Sequence, residues 1–280
     1  MRHIHSNIIS KKTAQLCLTS NLTLPNDLID TIKISYENEE DTLAKEILSD
    51  MLKNASMAKQ LKIPICQDTG MVVCFLDIGQ DVHILGDTPK EAVNKGVRLA
   101  YKDSVLRNSV VKDPFDRVNT EDNTPAIVYI NIVKGNQIKL TVAPKGFGSE
   151  NMSALKMFNP SAQVEDVTSF ILDTVQNAGG KACPPMVVGI GIGGDFEMSA
   201  LLSKKALCRP ISERNSDPFY LKMEEDLLAR LNELDIGPQG FGGKTSVLAV
   251  NIEQYPTHIA GLPVAVNIGC HVTRHKNIII

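Results

Sequence analysis

Apolar residues recur every three to four positions from about residue 25 to 60. Leu43, Ile47, Leu48, Met51 and Ala55 fall on one face, and the period predicts helix. Ile63-Pro64 closes this stretch, because the residue before a proline is pushed out of helical backbone. Residues 71–78 form an apolar run of strand length. Thr88-Pro89-Lys90-Glu91 is a capping box with proline at the first helical position. The helix it opens carries Val93, Val97, Ala100, Tyr101 and Val105 inward and runs to near Arg107. Residues 126–133 and 137–143 are β-rich runs on either side of Lys134-Gly135-Asn136, a pattern that predicts a hairpin. A helix follows over 161–178, stopped by Gly179-Gly180. Residues 186–192 predict a buried strand, and a helical run reaches Leu207. Asp217-Pro218 opens another helix, with Leu221, Leu227, Leu228, Leu231 and Leu234 apolar and Gly237 at its end. Residues 247–252 and 263–268 predict strands, and Ile278-Ile279-Ile280 reads as a strand at a domain junction or in the core. The expectation is a mixed α and β protein of the α/β class, not a purely parallel doubly wound sheet. No linker divides it, so residues 1–280 are read as a single large domain.

Composition narrows the function. The chain has 280 residues, 43% apolar and 22% charged, ordinary for a soluble globular protein with a sizeable core. Its 29 basic and 32 acidic side chains give a net charge of −3, which argues against a nucleic-acid partner. No apolar run approaches the ~18 residues of a membrane span, and the N-terminus shows no uninterrupted apolar stretch of a secretory signal. The expected location is the cytoplasm.

The six cysteines, Cys17, Cys66, Cys74, Cys183, Cys208 and Cys270, are too dilute for a disulfide scaffold. None is paired as C-x-x-C, which excludes a local zinc ribbon or a thioredoxin-type redox pair. Cys17, Cys74 and Cys208 lie in apolar or helical surroundings and read as small buried hydrophobes. Cys66, Cys183 and Cys270 each lie at the end of an element beside Gly or Pro, where a thiolate can face a cleft. Spacing alone leaves open three unrelated loop cysteines. The alternative has chemical logic: a cubane cluster normally takes four cysteines, and three would leave one iron with an open, Lewis-acidic position.

Three glycine-rich stretches need weighing. Gly189-Ile190-Gly191-Ile192-Gly193-Gly194 matches the dinucleotide pattern, but no second strand ending in an acid follows, and a crowded strand-to-helix turn is the plainer reading. Gly237-Pro238-Gln239-Gly240-Phe241-Gly242-Gly243-Lys244-Thr245 looks like a phosphate loop, but proline stands at its first glycine position and a strand follows where a helix is required. Lys145-Gly146-Phe147-Gly148-Ser149-Glu150-Asn151 joins a strand to a helix. It is either a plain strand-exit turn or, with Lys145 and free N–H groups, an anion-holding turn.

Taken together, Ile63-Pro64-Ile65-Cys66-Gln67-Asp68-Thr69-Gly70, the 145–151 turn, Ala182-Cys183-Pro184-Pro185 running into 189–194, the 237–243 loop and Gly269-Cys270 appear in order. They resemble the α subunit, or N-terminal half, of the class I iron–sulfur hydro-lyases, the oxygen-labile fumarases and L(+)-tartrate dehydratases, from about Ser10 onward. The resemblance implies the fold of that family's cluster-binding domain. It implies a [4Fe–4S] cluster held by Cys66, Cys183 and Cys270, and reversible hydration of a dicarboxylate double bond. By position, Gln67 and Asp68 would line the substrate site, Arg107 would pair with a substrate carboxylate, and Lys145, Gly146 and Gly148 would lie near the substrate. His258 would approach it, with Asp68 and His258 in the catalytic role. The chain stops just after the third cysteine, whereas the single-chain enzymes continue. The expectation is therefore one subunit of a two-subunit hydro-lyase, inactive without its β subunit and pairing with a second α copy. Fumarate is the expected substrate and tartrate the rival. Readings from other classes are a non-catalytic iron–sulfur protein and a nucleotide-binding oxidoreductase.

Overall fold

The structure is a computed structural model and describes residues 1–102 and 104–280. Its elements, in chain order, are β1 (Arg2–His5), α1 (Ser6–Leu22), α2 (Asn26–Asn38), α3 (Thr42–Leu61), β2 (Met71–Gly79), β3 (Val82–Leu85), α4 (Pro89–Tyr101), β4 (Ile127–Val133), β5 (Ile138–Lys145), α5 (Phe147–Glu150), β6 (Ala154–Phe158), α6 (Val164–Ala178), β7 (Met186–Gly193), α7 (Phe196–Ala206), α8 (Pro218–Asn232), β8 (Val247–Tyr255), β9 (Leu262–Gly269) and β10 (Lys276–Ile279). This is the mixed α and β class the sequence predicts. The chain forms two compact units from interleaved stretches. Met1–Leu24, Ala55–Phe147 and Arg274–Ile280 build the first; Pro25–Asn54 and Gly148–Thr273 build the second.

In the first unit a four-stranded sheet runs β10-β5-β2-β4, and β1 and β3 form a separate parallel pair. Alternate residues of β2 and β5 (Val72, Cys74, Leu76, Ile78, Ile138, Leu140, Val142) form the core with α1 and α4. The capping box of α4 is present as read, with Glu91 N–H bonded to the Thr88 hydroxyl and the Glu91 carboxylate accepting from Thr88. Its helix, however, ends at Tyr101, and Val105 is exposed. The predicted hairpin is also corrected. β4 and β5 do not pair with each other; β2 lies between them, parallel to β4 and antiparallel to β5. The Lys134-Gly135-Asn136 connection arches over the end of β2, where Gly135 O accepts from Asp81 N–H and a Cβ on Gly79 would lie 2.3 Å from that same oxygen.

In the second unit the sheet runs β6-β9-β7-β8. Its core joins Val188, Ile190, Val250, Val264 and Val266 to Ile171, Leu227 and Leu231 from α6 and α8. The residue 25–60 stretch is two helices, α2 and α3, and the predicted stripe of α3 holds at Leu48, Met51 and Ala55 but fails at Leu43. Ala44, Leu48 and Met51 are buried while Leu43 is exposed. The glycines of β7 serve packing. A Cβ on Gly189 or Gly191 would lie 2.3 Å or 2.0 Å from α7 carbonyls, so α7 can seat on the strand only because these side chains are missing. No helix among the described residues is long and apolar enough to cross a membrane.

Candidate active site

In the first unit the site is built around the loop that carries Cys66. Leaving α3, the chain is fixed by Ile65 N–H bonded to Asn21 O (3.0 Å), and then turns through Cys66, Gln67 and Asp68. Thr69 is buried and couples this loop to Arg107. Its hydroxyl donates to Arg107 O (2.9 Å) and accepts from Arg107 N–H (3.0 Å). Tyr101, whose phenol is pushed upward by burial, donates to Thr69 O (2.8 Å), and buried Asn123 donates to Gly70 O (3.0 Å). Thr69, Tyr101 and Asn123 hold the loop and the base of Arg107 as one piece, while Arg107 and Gln67 stay exposed at its surface.

Asp68 ties this loop to the next. One carboxylate oxygen accepts from Gly70 N–H and the other from Phe147 N–H, both at 2.9 Å. A Cβ on Gly146 would lie 3.1 Å from the second oxygen, so the close approach favours glycine there. Lys145, half-buried, donates to Gly146 O. The first unit thus ties Asp68, Arg107, Lys145 and Gly146 to the loop that carries Cys66 and Gln67. Replacing Asp68 with alanine should free both N–H groups and cost about 2 kcal/mol. Amide exchange at Gly70 and Phe147 should then accelerate, and unchanged exchange there would contradict the bracing role.

The second unit brings Cys183 and Cys270 together. Cys183 has left-handed backbone (φ 54°) at the end of a 3-10 turn, Gly179–Ala182, and its carbonyl accepts from His271 N–H at 3.2 Å. The His271 ring Nδ1 also meets that carbonyl, at 2.9 Å, a contact that needs the proton on Nδ1. Gln239 donates from both its backbone N–H (2.8 Å) and its side chain (3.0 Å) to Pro184 O. The 237–243 loop is therefore a clasp on the Cys183 turn. A Cβ on Gly240 would meet Gly180 Cα at 2.6 Å. Gly148 faces the same turn, with the Lys181 carbonyl 3.7 Å from where its Cβ would be.

His258 is elsewhere. It follows β8, where Thr257 bonds to Gly194 O just past the C-terminal end of β7, whereas Cys183 precedes β7 and Cys270 follows β9 beside Val187. The length of β7, eight residues at about 3.3 Å each or ~26 Å, separates His258 from the cysteine pair. Its Nδ1 accepts from Ala260 N–H (3.1 Å), which leaves the proton of the neutral ring on Nε2.

The six cysteines fall into two sets, and none is in a disulfide. Cys17 and Cys74 are fully buried, and Cys208 turns its thiol toward Lys204 O. Burial pushes the Cys17 and Cys208 thiols up to about 12 and Cys74 well above its ordinary value, so all three stay protonated. Cys66 and Cys270 are half-buried and Cys183 exposed, each in a turn. That second set is a soft donor set for iron. No three His, Cys, Asp or Glu side chains among the described residues are grouped for a single metal ion. Sequence reading missed Tyr101 as a brace, Asn123, Gln239, His271 and Arg274. All act through contacts distant in sequence; His271 and Arg274 also lie within four residues after the third cysteine.

The fumarate hydratase (Fumerase) family matches residues 10–279. A Methanocaldococcus jannaschii protein provisionally named L(+)-tartrate dehydratase subunit alpha is 39% identical over 273 residues, 95% of each chain. L(+)-tartrate dehydratase subunit alpha of Escherichia coli K12 is 32% identical over 278 residues, 98% of this chain and 91% of its own.

Proposed function

The chain belongs to the fumarate hydratase (Fumerase) family, and from that membership we propose that it is the α subunit of an iron–sulfur hydro-lyase. With a separate β subunit it would add water reversibly to fumarate, giving L-malate. The observation that supports this most is the sorting of the cysteines: the three whose thiols burial pushes upward are those outside the family motifs, and the three in loops beside glycine or proline are those inside them.

In this reading Cys66, Cys183 and Cys270 hold a [4Fe–4S] cluster, which when bound supplies a Lewis-acidic iron with an open coordination position. Arg107 clamps a substrate carboxylate through two parallel N–H bonds, from a backbone already fixed by Thr69. Gln67, Lys145 and the N–H groups of Gly146 and Gly148 offer further donors to a dianionic substrate. Asp68, each of whose oxygens accepts one backbone N–H, lines the substrate site and keeps lone pairs for a catalytic role. His258 presents Nε2–H as a proton carrier. Its distance from Cys183 and Cys270 favours service to the centre of a second copy of the chain. The base for the substrate's C–H proton comes from the β subunit.

The names of the relatives favour a second substrate, L(+)-tartrate. Anaerobic reconstitution with iron and sulfide tests the proposal. The chain should take on the broad visible absorbance of an iron–sulfur cluster, stay inactive alone, and turn over fumarate or L(+)-tartrate once its β subunit is added. A chain that binds no iron, or that hydrates fumarate without iron, would overturn it.

A further inference from the structure

Arg274 is 5% exposed, yet no carboxylate among the described residues lies within ion-pair distance of it. One Nη donates to Asp68 O at 2.6 Å, and its buried Nε has no hydrogen-bond partner. The Asp68 carboxylate accepts from Gly70 and Phe147 N–H and makes no ion pair with Arg274, and the Tyr101 phenol, on which the Arg274 charge acts, stays neutral. A buried cation with no ion-pair partner is costly, and an anion arriving beside it lowers that cost. The charge sits beneath the loop of Cys66, holding the carbonyl two residues further on.

We infer that Arg274 is the counter-charge of the iron–sulfur cluster bound through Cys66, an inference that rests on the function proposed above. Three thiolates outweigh the positive charge of an oxidised cubane core, so the assembled group is an anion and becomes more so on reduction. A fixed cation beside it stabilises the reduced form and raises the reduction potential. Arg274 is thus a positioning and charge-balancing residue, not one that touches substrate.

The test is anaerobic redox titration of the full reconstituted chain, without substrate, for wild type, Arg274→Met and Arg274→Lys, with circular dichroism as a check on folding. Arg274→Met should move the midpoint potential to more negative values and speed iron loss to a chelator several-fold. Arg274→Lys should keep the wild-type potential. Equal potentials in all three folded proteins would overturn the inference, as would Arg274→Lys behaving like Arg274→Met, since only the bond to the Asp68 carbonyl would then matter. A change confined to KM in the enzyme assembled with its β subunit, with the potential unmoved, would assign the charge to a substrate carboxylate and also overturn it. If Arg274→Met does not fold, Arg274→Gln replaces it, with the same outcomes. Wild type that takes up no cluster would instead defeat the proposed function itself.

Discussion

Serine at Cys66, Cys183 or Cys270 should remove iron and turnover together, whereas serine at Cys17, Cys74 or Cys208 should leave both in place. A hydroxyl is a harder and more weakly bound ligand for iron than a thiolate. The Lewis acid is worth several kcal/mol of barrier reduction, so its loss should lower turnover by about a thousandfold or more. The sealed cysteines behave differently. Serine at Cys17 or Cys74 would put a hydroxyl and a small void into the first unit's core, a cost of about 1–3 kcal/mol that shows as a lower melting temperature. Iron per chain, hydration rate and melting temperature for all six variants would decide this. Retained iron in Cys183→Ser, or iron lost in Cys74→Ser without unfolding, would break the assignment. Alkylation adds a check without mutation, since thiols pushed to about 12 should stay unlabelled at neutral pH in the native iron-free protein.

The position of His258 makes an equally large effect visible by complementation. Chains carrying Cys66→Ser or His258→Ala should each be inactive in the assembled enzyme. When the two are co-expressed, a site whose histidine comes from the other copy is rebuilt in every mixed pair. Random two-fold pairing then restores roughly a quarter of the wild-type sites. If Cys66 and His258 acted within one chain, no mixture would recover activity. The prediction follows from the ~26 Å of β7 that separates His258 from Cys183 and Cys270, and the recovered rate reads it directly.

Much of this was legible from local chemistry. The capping box of α4, the strands β2, β7, β8 and β9, and the glycine stop after α6 follow from signals a few residues long. Cys66, Cys183 and Cys270 were separable from the rest because each ends an element beside Gly or Pro. The errors share one cause, contacts remote in sequence overriding local pattern. Val105 continues the period of α4, yet the chain leaves the helix at Tyr101, and two residues after Val105 the Arg107 backbone bonds to the Thr69 hydroxyl. Lys134-Gly135-Asn136 has hairpin chemistry, yet β2 is inserted between the strands it joins. The glycines of β7 look like a nucleotide turn because close packing against α7 and close approach to a phosphate both demand the missing Cβ. The ligand pattern of the family carried the reading of Arg107 and Gly146, which local periodicity does not single out. Arg274 left no signal at all: an arginine near the third cysteine is unremarkable until the fold shows it buried under Asp68.

The interleaved path of the chain sets an order of assembly. β10 lies against β5, Ile280 and Ile138 exchange backbone hydrogen bonds, and Arg2 reaches the Ile280 carbonyl. During translation the loop bearing Cys66 therefore emerges long before residues 274–280, which close the sheet beside it and supply Arg274. In the proposed reading, iron loading would wait for those last segments and maturation would follow translation, so anything that delays or clips residues 274–280 should yield a chain with all three thiols present and no stable metal.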